Sequence, residues 1–396
     1  MKRIFYFLIF LLPLLLMCIE GNKGKDTVVG NLIDIDIKSL QMVDLKVGNL
    51  RYIPLETSDD CLIGSASKVL IRNEKIYVAD FSRAMALFVF DMNGKFLFKV
   101  ARRGQGPREY VSFRDFDIHN NGEIYMFDIM TRKFIIVDSE GKYQRELILD
   151  YNVNNFCLVD DKIYLSRLRG TDGKTYADLA VYDIKNGKTT FLLDDEKFLY
   201  DIPMHYSAYS FFYSPHNIYY SPKLSEIIYS INKDGINSAI GIKNLPLPPK
   251  QAIDKWVNEK NPMNLAKMLK DDNYFIVNLN IHETDDYISF QYLIGTSFNN
   301  GHILYNKKKK TAYSLKGYNV YIGAPLINGS TGKEFFSVMT FVSDIRDQAQ
   351  KKIRASHEEL KNWQEEDNPV IAIFDLDMDS PKPFDIKEHA KRFIDL

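Results

Sequence analysis

One unit recurs along this chain, and a recurring unit of this length restricts the fold more than any single motif. Ile76-Tyr-Val-Ala-Asp80 leads into Leu87-Phe-Val-Phe-Asp-Met-Asn-Gly94, and Ile124-Tyr-Met-Phe-Asp128 leads into Phe134-Ile-Ile-Val-Asp-Ser-Glu-Gly141. Ile163-Tyr-Leu-Ser166 precedes Leu179-Ala-Val-Tyr-Asp-Ile-Lys-Asn-Gly187, and Ile218-Tyr-Tyr-Ser221 precedes Ile227-Ile-Tyr-Ser-Ile-Asn-Lys-Asp-Gly235. A blurred fifth copy runs from Ile288 to Tyr305, and a weaker sixth joins Phe335-Phe-Ser-Val338 to Val370-Ile-Ala-Ile-Phe-Asp375. The apolar runs have strand length and end in Asn, Asp and Gly turn signals. The anchors Ile76, Ile124, Ile163, Ile218, Ile288 and Phe335 lie 48, 39, 55, 70 and 47 residues apart. Propeller blades of four strands repeat at about 40–50 residues. The expectation is an all-β chain: a six-bladed β-propeller with four-stranded antiparallel blades.

Ring closure sharpens that expectation. The sixth copy ends on a third strand at Asp375-Leu376, with no good fourth strand after it. The strand-like Leu50-Arg-Tyr-Ile-Pro-Leu55, with Ile33 to Ile37 as a further candidate, should supply the missing outer strand, so that no sheet edge stays open. The expected organisation is a signal segment over residues 1–17, an N-terminal linker over 18–48, the propeller over 49–377 and a C-terminal tail over 378–396.

The chain opens with Lys2 and Arg3, then an uncharged stretch over residues 4–17 that ends at Cys18. That is too short to span a bilayer but suits the apolar core of a signal peptide. Leu15-Leu16-Met17-Cys18 is similar to a bacterial lipobox, although Met17 is larger than the small residue usual before the cysteine. The chain is therefore expected to be exported and held at a bacterial membrane through a lipid on Cys18, an ordinary secretory signal being the alternative. Cys61 and Cys157 sit in apolar strand contexts and read as buried free thiols. With 51 basic against 52 acidic side chains, the chain lacks the basic excess of a nucleic-acid binder.

Three segments carry a family likeness: Gly104-Gln-Gly-Pro-Arg-Glu-Tyr110, Tyr52-Ile-Pro-Leu-Glu56 and Asp367-Asn-Pro-Val370. Together they resemble the bacterial six-bladed β-propeller lipoproteins, over about residues 45–377. Arg108 stands where that family often has glycine. The resemblance implies the fold and an exported location; most members have no assigned activity.

In a four-stranded blade, second-to-third-strand turns and blade-to-blade links share one face, and the other turns share the opposite one. The turns at Asn93-Gly94, Glu140-Gly141, Asn186-Gly187 and Asp234-Gly235 are short hairpin signals, so Asp91, Asp138 and Asp183 read as turn formers. Lys307 to Lys310 reads as a solvated tip. The long segments, residues 101–112, 194–208, 243–272 and 343–368, fall on the opposite face, where binding residues concentrate. Arg83, Arg102, Arg103, Arg132, Arg167 and Arg169 map there, and guanidinium groups suit carboxylate or phosphate oxygens. Asp80 and Asp128 should cap their loops there in preference to pairing with these arginines. His205, Tyr206 and Tyr209 lie in the fourth-copy insertion and are further contact candidates, whereas Phe211 to Tyr213 should pack between blades. Two helices are expected on this face: one opening at Asn261-Pro262, the other along residues 343–366 with Leu360 and Trp363 on its apolar side.

No HExxH, GxSxG, Walker or CxxC pattern occurs, and neither a cofactor nor a metal is called for. The expected function is a binding or scaffold module whose loop-rich face recognises a glycan, peptide or protein. A propeller enzyme (lactonase, lyase or glycan-active) with its site at the channel mouth is the alternative, because a propeller assembles residues that no linear motif reveals.

Overall fold

The structure is a computed structural model that describes residues 32–43, 47–193, 210–214, 217–259, 267, 274–294, 300–315, 327–340 and 354–376. Six small sheets follow one another around the ring. Blade 1 comprises Lys68–Arg72, Lys75–Asp80, Ala86–Asp91 and Phe96–Val100, from the channel outward. Blade 2 comprises Phe113–Ile118, Ile124–Asp128, Lys133–Val137 and Tyr143–Ile148. Blade 3 is built on Asn155–Val159, Lys162–Gly170, Tyr176–Asp183 and Thr189–Leu193, and blade 4 on Phe211–Tyr213, Ile218–Tyr220, Ile227–Asn232 and Gly235–Lys243. Blade 5 takes Phe275–Glu283, Tyr287–Ile294, Asn300–Asn306 and Thr311–Leu315. Blade 6 takes Gly329–Ser330, Phe335–Met339 and Val370–Leu376. All six repeat anchors fall on the second strand of their blade.

The ring closes as the sequence implies. Val47–Pro54 is the outer strand of blade 6, with Ile53 opposite Ile371 and Tyr52 opposite Ala372. Residues ahead of it take a course the sequence does not reveal. Ile33–Asp36 pairs parallel to the outer strand of blade 4, Ile35 lying between Ile33 and Ile37 in an alternating pattern that buries it to 2% exposure. Gln41–Val43 then pairs parallel to the outer strand of blade 5. The segment thus covers the edges of two blades before completing a third, so Ile33 to Ile37 caps blade 4 and takes no part in closing blade 6.

The core lies between blades, because each sheet buries both faces against its neighbours. Ile53, Val69, Ile76, Phe88, Phe336 and Ile371 join blade 6 to blade 1, and Phe127, Phe134, Phe156 and Leu165 join blades 2 and 3. Cys61 and Cys157 are buried free thiols within it. The short turns work as expected: Asp91 Oδ1 accepts from the backbone of Asn93 and Lys95, Asp138 Oδ1 from Glu140 and Lys142, and Asp183 Oδ1 from Lys185 and Asn186.

Among the described residues the longest helix is Lys250–Glu259, which follows Pro248 and Pro249 and lies ahead of the expected one. The expected helix start at Asn261-Pro262, residues 343–353 of the second expected helix and the tail over 378–396 lie outside the described residues. Where that segment is described it is helical over residues 354–356 and then makes a 3-10 turn, Glu358–Leu360. Leu360 and Trp363 pack on Tyr52, Val370 and Ala372, so this segment clasps the closing strand.

Candidate functional site

Two regions compete as the working surface: the loop-rich face and the central channel. On the loop-rich face the buried carboxylates are occupied by backbone. Asp80 is 0% exposed. Its Oδ2 accepts from the N–H groups of Gly64 and Ser65, and its Oδ1 from those of Ser82 and Arg83. It therefore ties the link entering blade 1 to the turn leaving the second strand. Burial acts to raise its pKa, but the backbone donors of Arg83, Ala84, Ser82 and Ser65 outweigh that and hold it below the ordinary value. Asp128 repeats the arrangement one blade on, accepting from Val111, Ser112 and Met130 N–H and from the Thr131 hydroxyl. Both are caps.

The Gly104 to Tyr110 run is a structural staple. The buried Tyr110 hydroxyl donates to the Met85 carbonyl at 2.5 Å, and burial pushes its pKa up to about 12. Glu109 Oε2 accepts from Gly106 N–H at 2.8 Å. Arg108 adopts φ +67°, in the left-handed region where glycine is the unstrained choice, and lays its guanidinium over the Tyr143 ring at 4.9 Å.

Of the sequence candidates, Arg83 and Arg103 are exposed, whereas Arg102, Arg132 and Arg167 are half-buried. The Arg83 stem covers Gly64, and the Arg102 backbone bonds Tyr110. Arg132 and Arg167 sit at left-handed φ values of 56° and 52°. None of the five lines the channel cavity. His205, Tyr206 and Tyr209 lie outside the described residues.

The channel cavity has a volume of about 1030 Å³ and is walled by the inner strands of the blades. Its rim consists of first-to-second-strand turns, including Asn73-Glu74, His119-Asn120 and Thr331, so it opens on the face opposite the long loops. Alternation along Phe113–Ile118 aims Asp115 and Asp117 at neighbouring blades. Lys68 Nζ meets Asp115 Oδ1 at 2.7 Å and the Phe116 carbonyl at 2.7 Å, while Arg72 Nη1 meets Asp117 Oδ1 at 3.0 Å. Asp115 Oδ2 also accepts from Phe156 N–H, and Asp117 Oδ2 from Leu158 N–H. The Tyr213 hydroxyl donates to the Phe156 carbonyl, and its ring receives Lys68 at 4.6 Å and Arg72 at 4.8 Å. Four blades are laced together in this way. Burial nevertheless raises the Asp117 pKa against the pull of Arg72 and Lys68.

Glu283 joins the remaining blades. Its Oε2 accepts from Ser214, Asn217 and Tyr219, its Oε1 pairs with Lys307 at 2.7 Å, and its carbonyl accepts from the Ser330 hydroxyl. Burial works to raise its pKa, but Lys307 and these donors bring it below the ordinary value. Lys307 is thus a partly buried ion-pair partner, while Lys308, Lys309 and Lys310 form the exposed tip. On the loop side Asn368 donates to the carbonyls of Glu56 and Cys61 and accepts from Ile63 N–H, fastening blade 6 to blade 1.

The sequence reading passed over this ring. Its signal was present as charges inside otherwise apolar strands, Lys68-Val-Leu-Ile-Arg72 and Phe113-Arg-Asp-Phe-Asp-Ile118. Among the described residues, no three His, Cys, Asp or Glu side chains gather to hold a metal ion.

Residues 31–375 match the model of a domain of unknown function, DUF4934. Among solved structures, one from Bacteroides fragilis, named as an exported protein, superposes with a TM-score of 0.68 at 18% identity, over 87% of this chain and 99% of the other. A DUF4221 family member from Bacteroides vulgatus gives 0.51 at 12% identity, over 86% of this chain and 99% of the other. At such identities the likeness is one of fold. No curated protein matches the chain.

Proposed function

The chain belongs to the DUF4934 family, and from that premise we propose that it is an exported binding module. A lipid on Cys18 holds it at a bacterial membrane, and its loop-rich face recognises a glycan, peptide or protein partner. The observation that carries this reading is the use made of the buried carboxylates. Asp80, Asp128, Asp115, Asp117 and Glu283 are all spent on backbone donors or ion pairs that fasten links and blades. A ring braced in this way is a rigid platform for loops. The enzyme alternative draws less support, since a general acid or base has to be free to reach a substrate.

Two measurements test the reading. Mass spectrometry of the mature N-terminus should find acylated Cys18, and Cys18→Ala should move the protein from the membrane to the soluble fraction. Pull-downs from envelope extracts should lose their captured partner when Arg102 and Arg103 are both replaced by Ala. An unmodified, soluble wild type overturns the anchor. Capture that survives the double variant overturns the loop face.

A further inference from the structure

We infer that the loop-rich face over blades 1 and 2 is a contact surface for an acidic segment of a protein partner, held by Arg83, Arg102, Arg103 and Arg132. The inference rests on the proposed role of that face and narrows it to one class of partner.

Three pieces of chain bring these arginines together. Arg83 lies in the turn between the second and third strands of blade 1, Arg102 and Arg103 open the link to blade 2, and Arg132 ends the corresponding turn of blade 2. The Tyr110 hydroxyl ties the link to the first turn through the Met85 carbonyl. Asp128 ties it to the second turn, accepting from Val111 and Ser112 N–H and from the Thr131 hydroxyl. The backbone that carries the four charges is therefore fixed before a partner arrives, which keeps the ordering cost of binding low.

Their charges are unspent. Elsewhere the chain pairs arginines with carboxylates: Arg51 with Glu334, Arg72 with Asp117 and Arg145 with Glu123. Among the described residues, none of the four guanidinium groups has an ion-pair or hydrogen-bond partner. Arg132 Nε is sealed inside without a partner, so the fold does not neutralise that group from within. Glu109, the acidic side chain of the link, is bonded to Gly106 N–H. Asp150 follows the Leu149 whose N–H donates to the Arg132 carbonyl, and it forms no ion pair among the described residues. A chain with a net charge of −1 thus keeps a local positive excess. Unpaired guanidinium forks match carboxylates in shape as well as charge.

The residue types around the charges favour a protein over a polysaccharide or a lipid surface. The two turns and the link (residues 81–85, 101–112 and 129–132) contain no lysine, and Met130 is 67% exposed close to Arg132 in the chain. Leu62, 53% exposed, stands two residues before the Gly64 that the Arg83 stem covers. Protein interfaces are enriched in arginine and methionine and depleted in lysine. A lipid surface draws on lysine and arginine alike. A sugar stacks on open aromatic rings, but Phe81 and Tyr110, the aromatic residues of these segments, pack against Phe113.

The test is fluorescence anisotropy on the intact mature protein with a labelled glutamate-rich dodecapeptide carrying two leucines. Its glutamine counterpart, oligogalacturonate and phosphatidylglycerol vesicles serve as competitors. The acidic peptide should bind, and binding should weaken several-fold as salt rises from about 50 to 200 mM. Arg103→Gln with Arg132→Gln should weaken it roughly five- to tenfold and flatten the salt dependence. Lys309→Gln with Lys310→Gln, on the opposite face, should leave it unchanged. Arg103→Lys with Arg132→Lys keeps both charges and should retain the salt dependence, a second readout if the glutamine pair folds poorly. Equal binding by the glutamine pair overturns the inference. So does equal binding of the glutamine peptide, or stronger competition by oligogalacturonate or vesicles than by unlabelled acidic peptide. If capture from envelope extracts needs Arg102 and Arg103 but the acidic peptide does not bind, this inference falls and the loop face stands. Capture indifferent to those arginines overturns both.

Discussion

Replacing Asp80 separates two readings of the same carboxylate, loop cap or arginine partner. Its oxygens accept from four backbone N–H groups at 2.8 to 3.0 Å. In Asp80→Ala all four donors lose their acceptor. Some regain water, because the loops around them are only partly buried; at about 1 kcal/mol net for each, the loss is roughly 3–4 kcal/mol. Asp80→Asn keeps one acceptor oxygen and two of the four bonds, so roughly half of that should remain lost. Arg83→Ala removes only a stem lying over Gly64 and should cost under about 1 kcal/mol. Urea titrations followed by tryptophan fluorescence and circular dichroism would measure all three. If Arg83→Ala costs as much as Asp80→Ala, and the double variant costs no more than either, the carboxylate is an arginine partner and the capping argument fails. The pH dependence adds a check. The pKa of Asp80 in the folded state is depressed, so its contribution is complete above the unfolded carboxylate value and fades as pH falls through the folded one. The stability gap between wild type and Asp80→Asn should be flat from pH 7 to about 5 and close below about pH 4.

Further predictions concern closure, turns and thiols. Gly94 has φ +80°, and an added Cβ would meet the Pro54 carbonyl oxygen at 2.1 Å. Gly94→Ala should therefore cost about 2–3 kcal/mol, against about 1 for Gly173→Ala, where φ is +66° and no atom lies within 4 Å. Equal losses in thermal melts would remove the closing strand from the explanation. Ile53→Ala empties a buried position on that strand and should destabilise the ring by about 2–4 kcal/mol in the same assay. Cys61 and Cys157 are 0% exposed, and burial raises the Cys157 pKa well above the ordinary thiol value. Neither should react with a thiol reagent until the protein unfolds, and rapid labelling of the native protein would contradict their burial.

What could be read from the chain followed from local physics. Apolar strand stretches, Asp-initiated turns and the spacing of the anchors each depend on a few consecutive residues, so the six blades were visible in order. The closing strand was legible for a different reason: the last copy lacked a strand and Tyr52-Ile-Pro-Leu was spare. The parallel course of Ile33–Asp36 and Gln41–Val43 was not legible. An alternating apolar run announces a strand, but not which edge it will join, and a parallel pair leaves no hairpin between its members.

The candidate site divides along the same line. The arginines of the loop-rich face could be assigned to it by counting connections, yet counting could not show that none of the five lines the channel. His282 was one histidine among seven in the sequence. Folding buries its ring against Phe212 of blade 4 with neither nitrogen bonded, a placement that only distant segments brought together can produce. The sequence alone therefore determined the repeating unit, its count and the order in which the ring is sealed, because short-range periodicity and turn chemistry specify these. Tertiary structure alone decided which charges neutralise one another across blades and which ring nitrogens are sealed away without a partner. Burial and pairing belong to the space between segments and not to any one of them.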